Sequence, residues 1–131
     1  MVRALGLILV LLFAAVPREA HASARELAGQ CQVLLKGKHG SGEHIRIPFS
    51  KPALTCWGYM QAVQDFAALA DENGQRVLGI CPPERATMLD IVQAFVRYAD
   101  DRGKDLPENA ALAVTQALRS AYPCEGMAQK L

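Results

Sequence analysis

The stretch PALTCWGYM, residues 52–60, opens the segment that decides the fold. From Pro52 to Ala70, apolar residues recur every three or four positions, which predicts one amphipathic helix. Pro52 suits a first helical turn, where its missing N–H is not needed, and Asn73-Gly74 is a typical stop signal. The predicted buried face consists of Leu54, Trp57, Met60, Val63 (or Gln64) and Ala67. This segment is the second of four predicted helices.

Three other segments have the same helical patterning. The first predicted helix runs from Arg25 to Lys36. The third begins near Thr87, which has the capping-box spacing from Asp90, and ends at Gly103. The fourth is predicted to begin with Asp105 as its N-cap residue and to stop before Pro123. The sequence therefore predicts an all-α fold, a small four-helix domain.

The loop between the first two predicted helices is the least helix-like part of this domain. Residues 37–51 contain three glycines and Pro48, and residues 44–47 alternate as a short extended piece would. Exposed apolar or aromatic residues on a loop suggest a partner. We therefore take as candidate partner-binding residues His39, His44, Ile45, Ile47 and Phe49. The alternative is that Ile47 and Phe49 fill a gap between the first two helices.

The amino terminus reads as a secretory signal peptide over residues 1–24. Arg3 precedes an apolar run from Ala4 to Val16, which is shorter than the roughly 20 residues that a membrane-spanning helix needs. Small residues allow cleavage after Ala22 or after Ala24. We therefore expect a periplasmic protein without a membrane anchor after cleavage, with residues 25–131 as a single helical domain.

Charge excludes some classes of partner. The chain has 14 Lys and Arg and 13 Asp and Glu, and from Arg25 onward 12 of each remain. No basic patch stands out, which argues against nucleic acid or an anionic membrane surface as the partner.

Catalytic chemistry is poorly represented in the sequence. His39 and His44 lie near Glu43, but a zinc site usually requires thiolates or more imidazoles at short spacing. The sequence contains no phosphate-binding glycine loop, serine nucleophile motif or metalloprotease motif. We predict no catalytic residue, no metal and no cofactor.

The cysteines are even in number and follow the predicted export signal. Cys31, Cys56, Cys81 and Cys124 therefore predict two disulfides. Four cysteines allow three connectivities. Antiparallel helix packing favours Cys31–Cys56 and Cys81–Cys124, because it brings the segments of each pair together. Each bond is expected to contribute about 2 to 5 kcal/mol to the stability of a domain this small.

Several short motifs, taken in order, resemble the Rap/Tai immunity protein family. They are Cys56-Trp57-Gly58-Tyr59, Cys81-Pro82-Pro83, Tyr98, Ala117-Leu118 and Ala121-Tyr122-Pro123-Cys124. The resemblance implies a small, helical, non-enzymatic periplasmic protein that inhibits a cell-wall amidase effector delivered by type VI secretion. The chain departs from the family pattern at Ala62 and Asp90, where the family often has Gly and Gln, and the 37–51 loop is longer than usual. These departures affect the identity of the partner more than the fold.

Two other functional classes remain open from the sequence. A periplasmic stress chaperone would also be a small exported helical protein, binding unfolded clients through apolar surface. An enzyme is the third possibility, although the residues offer little support for it. A homodimer is also open at this stage.

Overall fold

The computed structural model describes residues 22–40 and 44–125. Within these ranges lie four α-helices: α1 (Ala24–Gly37), α2 (Lys51–Ala67), α3 (Met88–Arg102) and α4 (Ala110–Ala121). Pairing outside the helices is limited, in the described ranges, to isolated β-bridges. The predicted all-α class is therefore confirmed. Residues 1–21 of the predicted signal peptide lie outside the described residues, and Ala24 already belongs to α1.

The core forms where α1 packs against α2 and α3, and α4 packs against α3 and α1. The largest side chains of this core have less than 2% of their surface exposed. The buried residues of all four described helices belong to one cluster. They include Leu34, Met60, Ile91, Phe95 and Leu118. Trp57 is half-buried and packs against this cluster, so it belongs to the edge of the core.

The start of α3 matches the sequence prediction. The Thr87 side chain accepts a hydrogen bond from the Asp90 amide, and an Asp90 carboxylate oxygen accepts one from the Thr87 amide at 2.8 Å. This reciprocal capping box satisfies donors that the first turn of a helix leaves without intrahelical partners. Gly103, at φ 53°, ends the helix as predicted.

The predicted start of α4 is wrong. Asp105 does not cap the helix; it lies in a 3-10 turn over Gly103–Asp105. The N-cap residue is Asn109, whose side chain accepts from the Leu112 amide at 3.1 Å. The reason is tertiary: the Glu108 carbonyl accepts from the Ala24 amide at 2.8 Å, so this segment pairs with the chain before α1 instead of coiling.

The predicted end of α2 is also wrong, because the helix stops at Ala67 and not at Ala70. The Leu69 carbonyl accepts a hydrogen bond from the Val77 amide at 3.0 Å, and the Asp71 amide donates to the Gln75 carbonyl at 2.9 Å. These bonds make a short hairpin of residues 69–77. The chain leaves the helix early because the hairpin uses its backbone groups.

Both predicted disulfides are present. Cys31–Cys56 joins α1 to α2 with a Cα–Cα distance of 5.1 Å, and Cys81–Cys124 joins the segment before α3 to the end of α4 at 4.9 Å. Both sulfurs of the first bond belong to residues that are 0% exposed. In the second, Cys81 is exposed and Cys124 is half-buried. The first bond therefore lies inside the core and the second on its surface.

Candidate partner-binding surface

The loop between α1 and α2 has a defined base. The His39 amide donates to the Arg46 carbonyl at 2.9 Å, and the Arg46 amide donates to the His39 carbonyl at 2.8 Å. Gly40 follows with φ 95°, and a Cβ atom there would lie 2.3 Å from the His44 carbonyl oxygen. Only glycine fits this conformation without strain. Two backbone hydrogen bonds and a glycine-specific turn therefore close the base of the loop.

The five candidate residues of this loop have different surroundings. Ile47 is half-buried and packs against the core, as the gap-filling alternative expected for it. That alternative is wrong for Phe49, which is 94% exposed. Ile45 is 38% exposed, and His39 and His44 are exposed as well. The loop thus exposes two apolar side chains and two imidazoles to solvent.

Phe49 occupies an unusual position for so large an apolar side chain. It precedes Ser50, the N-cap residue of α2, and Leu54 lies one turn into the helix. Side chains at these two positions often pack together as a hydrophobic staple. With 94% of its surface exposed, Phe49 makes no such packing, and Leu54 remains 39% exposed. The start of α2 therefore carries uncovered apolar surface.

The solvent side of α2 continues this surface without charge. Lys51 and Asp65, near its two ends, are the only charged residues of the helix. We call the exposed residues between them the neutral face; it consists of Leu54, Thr55, Gly58, Gln61 and Ala62. Nothing lies within 4 Å of where a Gly58 Cβ would be, so the backbone itself is accessible there. Depletion of charge is typical of the centre of a protein–protein interface.

The far end of α2 carries a second apolar group that the sequence reasoning missed. Phe66 is 62% exposed, Leu69 52% and Val77 59%; together they form the hairpin patch. Leu69 and Val77 face each other across the hairpin and therefore share one of its sides. The signal was present in Asn73-Gly74, a strong hairpin turn when apolar residues flank it. The same dipeptide is also a typical helix stop, which is why the sequence predicts a longer α2.

The hairpin is stabilised by its own polar groups. An Asp71 carboxylate oxygen accepts from the amides of Asn73 at 2.9 Å and Gln75 at 2.8 Å. At its base, the Arg119 guanidinium donates to the Leu78 carbonyl at 2.6 Å, and the Cys81 amide donates to the Tyr122 carbonyl at 2.8 Å. The hairpin patch is thus presented on a fixed support.

A groove of about 390 Å³ between α3 and α4 has a different character. Charged residues line it, among them Asp90, Arg97 and Asp101. The Tyr98 hydroxyl beside it donates to Gln116 Oε1 at 2.9 Å. Burial raises the pKa of Tyr122 above its usual value, with a further contribution from the charge of Asp90. The hydrogen bonds from Thr87 lower the pKa of Asp90.

Metal-ligating side chains do not cluster in the described ranges. Within residues 22–40 and 44–125, no three His, Cys, Asp or Glu side chains come together as a metal site would require. Both described histidines of the loop are exposed, and Glu43, which the sequence placed near them, lies outside the described residues. In the same ranges no helix is both long and apolar enough to cross a membrane.

Fold and surface together define a class: a small, disulfide-bonded helical domain with uncharged apolar surface exposed along one helix. The chain belongs to the Rap1a immunity proteins, whose family profile matches residues 23–124. That span contains both disulfides, all four described helices and the loop between α1 and α2. Neither the curated proteins nor the solved structures yielded a match. Membership of this family supports an immunity role, in which the protein binds a protein effector.

Proposed function

We propose that this protein is exported to the periplasm, where it binds and inhibits a peptidoglycan-degrading amidase effector of type VI secretion. The observation that carries the proposal is the family match over residues 23–124. The resemblance of Cys56-Trp57-Gly58-Tyr59 and Cys81-Pro82-Pro83 to the Rap/Tai motifs adds the class of effector. Inhibition requires no catalysis by this chain: it acts by covering the effector.

The surface best suited to this contact begins at the α1–α2 loop. Ile45 and Phe49 are exposed there, and Phe49 contributes almost nothing to the core because only a small part of its surface is covered. Aromatic side chains that fill a pocket on the partner often dominate the binding free energy. We therefore assign Phe49 as the main anchor, with Ile45 and the two loop histidines beside it.

The neutral face extends this contact along α2. The helix has 17 residues, so its axis is about 25 Å long. The neutral face covers residues 54–62 of this helix, about 12 Å along the axis, so it adds to the loop contact and does not form an interface by itself. The absence of charge between Lys51 and Asp65 fits burial against a partner, because an unpaired buried charge is costly. The small residues Gly58 and Ala62 let a partner approach the helix closely.

The proposal is tested in cells that direct a peptidoglycan amidase effector to their own periplasm. Co-expression of this protein should prevent lysis, and the Phe49→Ala variant should protect poorly. Truncating an anchor typically costs 2 kcal/mol or more, or about 30-fold in affinity. Because Phe49 is 94% exposed, the melting temperature of the Phe49→Ala variant should match that of the parent protein. Ile45→Asp and His44→Ala should also weaken protection.

Phe66→Ala is the matched control. It removes the same side chain from an exposed site at the other end of α2, where Phe66 is 62% exposed. If Phe66→Ala abolishes protection and Phe49→Ala does not, the interface lies at the hairpin patch. Full protection by both variants would remove both surfaces from consideration.

The chaperone alternative has one observation in its favour, which is the spread of exposed apolar residues over several surfaces. Val33 and Leu112 are 42% and 50% exposed and lie outside the surfaces described above. A chaperone would suppress the aggregation of an unrelated denatured protein, and it would expose further apolar surface on acidification. An immunity protein should do neither, and should bind its folded effector with one defined stoichiometry.

A further inference from the structure

Residues 22–24, at the junction between the predicted signal peptide and the domain, are part of the folded structure. Ser23 is the N-cap residue of α1, and its side chain accepts from the Glu26 amide at 3.5 Å. The Ser23 carbonyl accepts the Leu27 amide at 2.9 Å. Ala24 is 0% exposed and begins the helix. A chain that lacked these two residues would start α1 without a cap.

The same residues join α1 to α4. The Ala24 amide donates to the Glu108 carbonyl at 2.8 Å, and the Ala110 amide donates to the Ala22 carbonyl at 3.0 Å. These two bonds make the antiparallel bridge between Ser23 and Asn109, the N-cap residue of α4, and they hold the starts of two helices side by side. This contact explains why α4 begins at Ala110 and not after Asp105.

Ala22 contributes less to the fold. Ala22 is exposed, and its only described backbone hydrogen bond is the one that its carbonyl accepts from the Ala110 amide at 3.0 Å. Removing Ala22 leaves that amide, in the first turn of α4, without its partner. One free donor in a first turn is an ordinary feature of helix starts. Losing Ala22 is therefore tolerable, whereas losing Ser23 and Ala24 removes a cap and a buried residue.

Recognition by signal peptidases narrows the choice of bond. These enzymes require small residues at the first and third positions before the cut. Cleavage after Ala22 places Ala20 and Ala22 there, and cleavage after Ala24 places Ala22 and Ala24 there. Cleavage after Ala20 would put Arg18 at the third position, which the rule excludes. Two bonds satisfy the recognition rule. A cut after Ala22 removes one of the two hydrogen bonds of the bridge, whereas a cut after Ala24 removes both of them, the cap of α1 and a buried residue.

We infer that the processing site is the Ala22–Ser23 bond and that the mature protein begins at Ser23. The hydrolysis adds water across this amide, leaving a carboxylate on Ala22 and an ammonium group on Ser23. The new positive charge lies near the start of α1, where Glu26 in the first turn offsets it. This inference rests on the proposed export of the chain.

The test is the intact mass of the protein recovered from the periplasm after expression with its own leader. The expected mass is that of residues 23–131. A mass beginning at Arg25, or at any residue before Ser23, would overturn the inference. If the full-length chain stays in the cytoplasm uncut, the proposed export fails with it. If the chain begins at Ser23 but gives no protection against any amidase, the processing site stands and the proposed function falls.

Two variants separate the candidate bonds by pulse-labelling, so that the readout does not depend on later folding. Ala20→Arg removes the small residue three positions before the inferred cut, so the Ser23 terminus should no longer form. Ala24→Val blocks only the alternative cut, and the Ser23 terminus should form as in the parent. A new terminus in Ala20→Arg that is the same as in the parent, or loss of processing in Ala24→Val, would place the cut after Ala24.

A stability comparison gives a second readout. Chains made directly from Ser23 and from Arg25 differ by the cap of α1 and by one buried alanine. The shorter chain should melt about 4 to 8 °C lower, the shift expected when a domain of this size loses one helix cap. Equal melting temperatures would show that Ser23 and Ala24 are dispensable, which would contradict the reasoning.

Discussion

Mild reduction is expected to open the two disulfides in a fixed order, with Cys81–Cys124 first. A thiolate must reach a sulfur atom to exchange with it. Cys81 is exposed, whereas Cys31 and Cys56 are each 0% exposed. The surface bond can react in the folded protein. The core bond can react only when the domain unfolds far enough to admit the reductant.

The difference between the two reduction rates follows from the stability of the domain, and the stability lost with each bond follows from the length of the loop that it closes. A domain of this size is typically stable by 5 to 15 kcal/mol, so its open form is about one molecule in several thousand or fewer. The core disulfide, Cys31–Cys56, should therefore be reduced at least about 1,000-fold more slowly than the surface disulfide, Cys81–Cys124. Cys81–Cys124 spans 43 residues, and opening it should lower the stability by about 4 kcal/mol in the chain-entropy model. That loss raises the open population by about 1,000-fold, so the core bond should follow.

Replacing both cysteines of a disulfide by alanine lowers the free energy of unfolding. Loop length alone predicts the larger loss for Cys81–Cys124, but we expect the larger loss for Cys31–Cys56. Cys31–Cys56 spans 25 residues, for which the same model gives about 3.5 kcal/mol. The Cys31→Ala/Cys56→Ala variant also leaves two small cavities in the core, each costing about 1 kcal/mol. Its total of about 5.5 kcal/mol exceeds the roughly 4 kcal/mol expected for Cys81→Ala/Cys124→Ala.

The assay is timed reduction with a dithiol, followed by alkylation and peptide mapping. The first labelled species should carry label on Cys81 and Cys124 alone. Urea unfolding of the two double-alanine variants then gives the stabilities. Label appearing first, or at an equal rate, on Cys31 and Cys56 would refute the argument from burial. A larger loss of stability in Cys81→Ala/Cys124→Ala would refute the added cost of core cavities.

Three further predictions follow from the surface and from single residues. Binding to the effector should weaken little between 50 and 500 mM salt, because the neutral face carries no charge; a steep salt dependence, measured by calorimetry, would place the contact on a charged surface such as the α3–α4 groove. Asp90→Asn should lower the melting temperature at pH 7, because the Thr87 hydrogen bonds lower the pKa of Asp90 in the folded state and stabilise its charged form. That stabilisation is present above the unfolded pKa of about 3.9 and is lost as the pH falls through the folded pKa, so the difference between variant and parent should shrink at pH 3; a gap of constant size would contradict this. Gly40→Ala should distort the loop and weaken binding, because its Cβ would lie 2.3 Å from the His44 carbonyl oxygen. The control Gly29→Ala, at an open position in α1, should raise stability by about 0.5 to 1 kcal/mol and leave binding unchanged.

The parts of the fold that were predictable from the sequence depend on local chemistry. Thr87 and Asp90 form the predicted capping box because both partners lie within one helical turn. The two disulfide pairs were also predicted correctly, because antiparallel neighbours limit which cysteines can meet.

The errors came from contacts between segments that are distant in the sequence. Asp105, Pro107 and Glu108 form a good local start signal for a helix, but Glu108 pairs with Ala24, 84 positions earlier in the chain, and the helix begins later. The end of α2 was misplaced because Asn73-Gly74 suits both a helix stop and a hairpin turn. The exposure of individual loop residues was equally out of reach: no local rule distinguishes Ile47, packed on the core, from Phe49, which faces solvent.

The most direct test of the central claim is an inhibition assay with purified components. The mature protein is titrated into a peptidoglycan amidase effector from the same organism, and the release of cleaved stem peptides from peptidoglycan is followed. We expect activity to fall in proportion to the protein added and to reach zero at a fixed molar ratio, with Phe49→Ala requiring a large excess. Undiminished activity of every such amidase at saturating concentrations of correctly folded, fully oxidised protein would contradict the proposed function.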